Sequence, residues 1–286
     1  MLLQQSEFDE LRDFIHKVCG ISLDEGKQYL VESRLGPLVA EYGCASFHEF
    51  YQKLSSNSDF GLLEKLIDAM TTNESSFFRD IHPFESFGVY VLPDFIELAR
   101  KRKTQFPQGA PVINIWSAAC SSGQEAYSMV MMIQEYLEAH PSCGVNINDF
   151  RILGTDISRE ILHQAEAASY NSFEIRRGLS ENRKNKFFTE KEGKWIFNES
   201  FRKIVEFKHI NLTKAFPKLA EMDLILCRNV LIYFDDDTKR GIVNQFYQAM
   251  PPGGLFMIGA MENILEKPED LHKICLGRSS YYRKEL

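Results

Sequence analysis

The stretch Val112-Ile-Asn-Ile-Trp-Ser-Ala-Ala-Cys-Ser-Ser-Gly-Gln-Glu-Ala-Tyr-Ser128 limits what this chain can fold into more than any other. Val112, Ile113 and Ile115 form an alternating, β-branched run that reads as a buried strand. Small side chains follow from Ser117 to Ser122, then Gly123, and from Gln124 to Ile133 the pattern is helical. A strand, a small-residue loop and a helix N-terminus make the corner at which α/β proteins cradle nucleotide-type ligands. Small side chains there let ligand and backbone approach closely. An ordinary strand–helix corner has the same pattern, so the stretch dictates an architecture before it dictates a ligand.

The length of 286 residues accommodates one large domain, or a medium domain with a small one attached. With 44% hydrophobic and 26% charged residues, a soluble globular protein is expected. The net charge of -7 argues against a general nucleic-acid binder. Locally, residues 170–210 carry ten Lys/Arg against six Asp/Glu, whereas residues 1–79 carry seven against thirteen. Six cysteines without a CxxC pair point to a reduced, cytoplasmic protein with no metal site. The N-terminus lacks the basic and apolar regions of a signal peptide, and no apolar run reaches the roughly 18 residues of a membrane span.

From Ser6 to about Met70 the spacing is helical throughout. Ser6 is expected to cap a first helix stopped at Cys19-Gly20, and a second runs from Asp24 to Gly43 with a bend at Gly36-Pro37. Ser46 caps a third over Phe47–Leu54, and Ser58 or Asp59 starts a fourth. Residues 1–71 thus read as a small all-α domain. Residues 72–111 read as a linker and connecting helix, helical from His82 to Lys103 with an interruption at Leu92-Pro93 and a turn over Pro107–Pro111. Residues 112–286 alternate strands and helices, which implies a doubly wound, mostly parallel sheet. The second strand ends at Asp156, placed to accept hydrogen bonds from ribose hydroxyls, with Ser158 capping the next helix. Residues 170–207 interrupt the alternation as an inserted helix/β subdomain. There Lys194–Phe197 and Lys203–Phe207 read as strands around a turn at Asn198–Ser200. A helix from Asp237 to Met250, a strand over Leu255–Gly259, a helix around Pro268–Lys273 and an antiparallel strand near Ser280–Arg283 complete the chain.

The glycine-rich G-x-G-x-x-G fingerprint is missing, which disfavours a pyrophosphate. An adenosine ligand without phosphates tolerates Ser and Ala in the loop. S-adenosylmethionine is such a ligand, and a carboxylate such as Glu125 suits its positively charged methionine end.

Five segments together resemble the CheR-type chemotaxis protein methyltransferases: Thr72-Asn-Glu-Ser-Ser-Phe-Phe-Arg79, Trp116–Glu125, Gly154-Thr-Asp-Ile157, Cys227-Arg-Asn-Val-Leu-Ile-Tyr-Phe234 and Pro252-Gly-Gly-Leu255. Their order and spacing agree over nearly the whole chain. The resemblance implies the fold of S-adenosylmethionine-dependent methyltransferases and a protein-glutamate O-methyltransferase active in chemotaxis adaptation, giving glutamate methyl esters and S-adenosylhomocysteine without a metal. It also implies the site. Asn73, Ser75 and Arg79 come from the interdomain segment, and Ala119 and Glu125 from the first loop. Asp156 holds the ribose, while Asn211-Leu212 and Arg228-Asn229-Val230 flank adenine and cofactor. Arg79 and Tyr233 lie nearest the transferred methyl. The family usually carries Thr where Ser75 stands, and Gln124 replaces a common Glu.

The implied partner is the cytoplasmic helical bundle of chemoreceptors, in some members with a C-terminal tether peptide. The family's second N-terminal helix is often rich in Arg and Lys, but here it offers mainly Lys27 and Arg34. The basic surplus at 170–210 is therefore expected to take a larger share of docking. Two other readings stand beside this one, a methyltransferase whose acceptor is some other protein or a small carboxylate, and a non-catalytic, cofactor-sensing binding module on the same fold.

Overall fold

The computed structural model describes residues 2–56, 60–105 and 113–285. The expected helix start at Ser58 or Asp59, the Pro107–Pro111 turn and the Val112 end of the first strand lie outside them. Helices Gln5–Cys19, Gln28–Glu41, Phe47–Ser55 and Phe60–Met70 build the N-terminal unit. Phe8, Leu11, Val31, Leu35, Phe50 and Leu66 are buried in its core. The first helix begins before Ser6 because the Glu7 carboxylate accepts the Gln4 N–H at 2.9 Å, moving the cap upstream. Ser46 does cap its helix, accepting the Glu49 N–H at 3.1 Å. Pro37 sits inside the second helix.

The connecting segment is helical over His82–Ser86 and Leu92–Gln105, joined by a π turn at Phe87–Val91. The interruption expected at Leu92-Pro93 takes this form because in a regular α-helix the Pro93 ring would meet the carbonyl of residue 89, and the wider turn relieves that clash.

The strands are β1 (Ile113–Ala118), β2 (Phe150–Asp156), β3 (Ser169–Tyr170), β4 (Phe188–Lys191), β5 (Lys194–Phe197), β6 (Val205–His209), β7 (Leu224–Cys227), β8 (Leu255–Ile258), β9 (Leu271–Leu276) and β10 (Ser279–Lys284). Seven form one sheet in the order β6-β2-β1-β7-β8-β10-β9. Strands β6, β2, β1, β7 and β8 run parallel, and β10 is antiparallel to both neighbours. The chain steps from β1 outward to β2 and β6, then returns to the other side of β1 as β7. A crevice opens where the direction of winding reverses. Helices cover both faces over separate cores, with Tyr127, Met131 and Ile115 in one and Trp116, Ile225 and Phe246 in the other. At the amino ends of the central strands β1 and β7, Arg102 makes a two-pronged ion pair with buried Asp223 at 2.7 and 2.9 Å, and Asp223 also accepts the Asn114 N–H. That end of the sheet serves stability.

Two expectations are corrected. Lys194–Phe197 does not pair with Lys203–Phe207; β5 lies between β3 and β4 in a separate three-stranded sheet. The hairpin turn is Glu192-Gly193, both left-handed (φ 53 and 75), as a two-residue turn matched to strand twist requires. Asn198–Ser200 instead leads into the short helix Glu199–Arg202, and Val205–His209 becomes the edge of the main sheet. Likewise Leu271–Leu276 is a strand rather than part of a helix. Gly277 (φ 59) reverses the chain there, and Leu276 pairs with Ser279. The final strand does lie antiparallel beside β8, as expected.

Candidate active site

Register builds the site. Ala118 is level with Thr155 on β2 and with Cys227 on β7, so Ala119, Asp156 and Arg228 emerge at one height at the carboxyl ends of adjacent strands. All twelve residues singled out from the sequence line one cavity there, of about 1000 Å³ including space open to solvent.

The first loop turns without the usual glycines. Ala119 (φ 56) and Ser121 (φ 51) take left-handed backbone, as Asn229 (φ 60) does across the cavity. Such strain in non-glycine residues persists only where surrounding contacts hold it, and it concentrates at functional sites. Here the Cys120 N–H donates to the Thr155 carbonyl at 2.8 Å and the Ser121 N–H to Asp156 Oδ2 at 2.9 Å. Those amides are already engaged, which leaves the loop poorly equipped to cradle a pyrophosphate.

Asp156 is 6% exposed, and its other oxygen accepts the Ser158 N–H at 3.0 Å. Burial pushes its carboxyl above the usual range, opposed by the N–H groups of Ser158, Ser121 and Ile157. Each oxygen keeps a lone pair for a ligand hydroxyl. Burial, then Asp156 and Glu125, hold the neighbouring Cys120 thiol well above its ordinary pKa, so it lines the cavity as an inert group.

Glu125 and Arg228 form the charged centre. Glu125 Oε1 accepts from Ser117 Oγ at 2.7 Å, and Oε2 pairs with Arg228 Nη1 at 2.7 Å. The Arg228 side chain is 3% exposed, and its Nη2 reaches Asp80 Oδ2 at 2.8 Å and the Arg79 carbonyl at 2.9 Å. Its Nε is buried and meets no hydrogen-bond partner among the described residues. One guanidinium thus ties β7, the helix Gln124–Ala139 and the interdomain segment together. Neutralisation by Arg228 moderates the attraction that Glu125 alone would exert on a cationic ligand, which the sequence did not reveal.

The interdomain segment closes the cavity from one side. The Asn73 carbonyl accepts from Ser121 Oγ at 2.9 Å, and Arg79 Nη1 donates to the Glu74 carbonyl at 2.9 Å, with Ser75 between them on the wall. On the far side Leu212 is buried, and the Asn211 amide donates to the Val18 carbonyl at 2.8 Å while its oxygen accepts the Thr213 N–H. The Asn211 side chain therefore engages the N-terminal unit. Val230 and Tyr233 line the remaining wall, and the Tyr233 carbonyl accepts the Ser22 N–H at 2.8 Å.

Cys19, Ile21 and Met70, from the N-terminal unit, also line the cavity. Sequence reasoning assigned that unit no part in the site. Its one local signal was Ile21, an apolar residue beyond the Gly20 stop, which here bridges to Phe234. Among the described residues, no group of three or more His, Cys, Asp or Glu side chains could hold a metal ion, and no helix is long and apolar enough to cross a membrane.

Comparison with known proteins agrees with this arrangement. Residues 73–279 match the family described as CheR methyltransferase, SAM binding domain, and residues 6–71 match the CheR methyltransferase, all-alpha domain. The chain is 37% identical over 284 residues to chemotaxis protein methyltransferase 1 of Pseudomonas aeruginosa, covering 99% of both chains. It is 38% identical over 264 residues to chemotaxis protein methyltransferase Cher2 of Pseudomonas putida, covering 92% of both. With the cavity built from the segments that carry the resemblance, and family matches over nearly its whole length, the chain belongs to the CheR methyltransferase family.

Proposed function

We propose that this protein methylates glutamate side chains of chemoreceptors, using S-adenosylmethionine held in the cavity at the ends of β1, β2 and β7. The observation that carries the reading is the convergence of twelve residues from five separated segments on that one cavity. The residues present suit the cofactor. Buried Asp156 offers lone pairs to a ribose, Ala119 and Ser121 expose backbone rather than bulk, and the Glu125–Arg228 pair presents both signs of charge to an amino-acid end.

When bound, S-adenosylmethionine supplies a sulfonium methyl carbon, which a glutamate oxygen takes as sulfur keeps the bonding pair, leaving a methyl ester and S-adenosylhomocysteine. Glutamate has an ordinary pKa of about 4.3 and arrives as the anion, so no residue here has to remove a proton. The work left to the protein is alignment and exclusion of water. Arg79 and Tyr233, both lining the cavity, orient the acceptor carboxylate. Ile21, Met70 and Phe234 close the cavity with apolar surface.

Residues 1–71 act in this reading as a helical cover, 72–111 as linker and connecting helix, and 112–286 as the catalytic body with the 170–207 subdomain inserted. Docking engages the cytoplasmic helical bundle of the receptor and, where present, its C-terminal tether peptide. The test is transfer of labelled methyl to receptor-containing membranes. Base-labile label on receptor glutamates is the expected result. Cofactor binding without transfer to receptor, or transfer to a different acceptor, would overturn the assignment.

A further inference from the structure

Glu262 follows the end of β8 and does not line the cavity, yet its carboxylate holds the backbone that does. Oε2 accepts the Gly259 N–H at 2.6 Å and the Asn229 N–H at 2.9 Å, and Oε1 accepts the Ile232 N–H at 3.3 Å. Two of these donors belong to the loop after β7, one on either side of Val230-Leu231. That loop carries Arg228, Asn229, Val230 and Tyr233 into the cavity. Asn229 is left-handed (φ 60) and Ile232 lies in the single 3-10 turn Leu231–Tyr233. Neither conformation is stable in isolation, and both are fastened to one carboxylate.

The packing leaves little freedom. A Cβ on Gly259 would stand 2.7 Å from Glu262 Oε2, 3.0 Å from the Asn229 nitrogen and 3.1 Å from Asn229 Nδ2. The strand end, the carboxylate and the cavity loop are therefore in direct contact, and glycine at 259 is what permits it. A carboxylate accepting several N–H groups makes charge-assisted bonds roughly twice as strong as neutral ones.

We propose that Glu262 is a positioning residue of the methyl-transfer site. It sets the backbone of Asn229 and Ile232, and through them the Asn229 side chain and the Tyr233 ring. The proposal rests on the reading of the cavity as the cofactor site. Removing the carboxylate releases three donors and lets Asn229 relax out of its left-handed state, so the wall formed by residues 229–233 loses its shape while the sheet beneath keeps its own.

The test uses the full chain with Glu262→Gln and Glu262→Ala. Glutamine keeps the length and an oxygen for Gly259 and Asn229, but turns an NH2 group toward the Ile232 N–H. Affinity for S-adenosylmethionine and S-adenosylhomocysteine is measured by calorimetry, and kcat and both KM values by methyl transfer to receptor membranes. Glu262→Ala is expected to weaken cofactor affinity on the order of 10-fold, the equivalent of one lost charge-assisted bond. Its KM for receptor stays unchanged, and Glu262→Gln falls between it and the unaltered chain. Hydrogen exchange should accelerate at the Asn229 and Ile232 amides in either variant. A merely structural role would reduce the folded fraction, scaling kcat down with cofactor affinity and both KM values unmoved. That outcome, or unaltered exchange at the two amides in folded Glu262→Gln, overturns the proposal. If the unaltered chain binds no cofactor, the reading of the cavity fails first and this proposal with it.

Discussion

At the scale of single residues, Asp156 shows how the site trades stability for binding. Its carboxyl is held above the usual range by burial. A folded-state pKa raised above the unfolded value of about 3.9 means the native state holds its proton more tightly. Its contribution to stability is fully present below that unfolded value and is lost as pH rises through the folded one. Above the folded value the buried anion is therefore a cost to the fold, which ribose hydroxyls would offset in the proposed reading. Cofactor affinity has the opposite sign: protonation removes lone pairs the ribose needs, so affinity falls as pH drops. Calorimetry across mildly acidic pH should find this decline beginning above the ordinary carboxylate range. Asp156→Ala should cost at least about 10-fold in affinity and flatten the pH dependence. Unchanged affinity in the folded variant would remove Asp156 from the site.

The inserted subdomain matters most at the scale of elements. Of the ten Lys/Arg over residues 170–210, five are occupied at home. Arg177 pairs with Glu74, Arg183 with Glu135, Lys186 with Glu138, Lys184 with Glu181 and Lys208 with Glu206. Arg183 also lies 3.9 Å over the Phe78 ring, fastening the subdomain to the interdomain segment. Arg176, Lys191, Lys194 and Lys203 make no ion pair among the described residues. Lys191 and Lys194 even face each other across the β4–β5 hairpin, an arrangement that is unfavourable until an anionic partner arrives. Reversing Arg176 and Lys194 to Glu is expected to raise the KM for receptor several-fold and weaken its salt dependence, with cofactor affinity unchanged. Equal receptor KM in the variant would exclude this face from docking. Arg177 is a poorer choice for that experiment, since its reversal would also disturb Glu74.

On the scale of the whole molecule, the N-terminal unit is clasped to the catalytic body beside the cavity. His16 meets Asp235 at 2.5 Å, Lys214 reaches the Lys17 carbonyl at 2.9 Å, Ser22 bonds Tyr233, and Arg159 pairs with Glu64. Gly20 sits at the centre of this clasp. It is left-handed (φ 74), and a Cβ there would stand 2.3 Å from Thr213 Cγ2. Gly20→Ala should lower stability by about 1–2 kcal/mol and displace Ile21 from the cavity wall. Chemical denaturation would read the first effect and calorimetry with S-adenosylmethionine the second. Full affinity in Gly20→Ala would mean that the clasp does not shape the cavity.

Much of this was legible along the chain, because it depends on neighbours in sequence. Helical period marked the N-terminal unit, alternation of strands and helices marked the parallel sheet, and the segments around Arg79, Glu125, Asp156 and Asn229 carried the family resemblance. Where short-range signals competed, they misled. Glu192-Gly193 was the true hairpin turn, and Leu271–Leu276 became a strand through its pairing with Ser279–Lys284. Three facts needed the tertiary structure. Arg228 neutralises Glu125, Glu262 holds the loop after β7 from behind, and the residues after the first helix wall the cavity. Each is a contact between segments far apart in the chain, where charge compensation and backbone capture depend on distance in space. Residue types and their spacing state what a site can bind; the three-dimensional packing decides which of their charges and donors remain free to bind it.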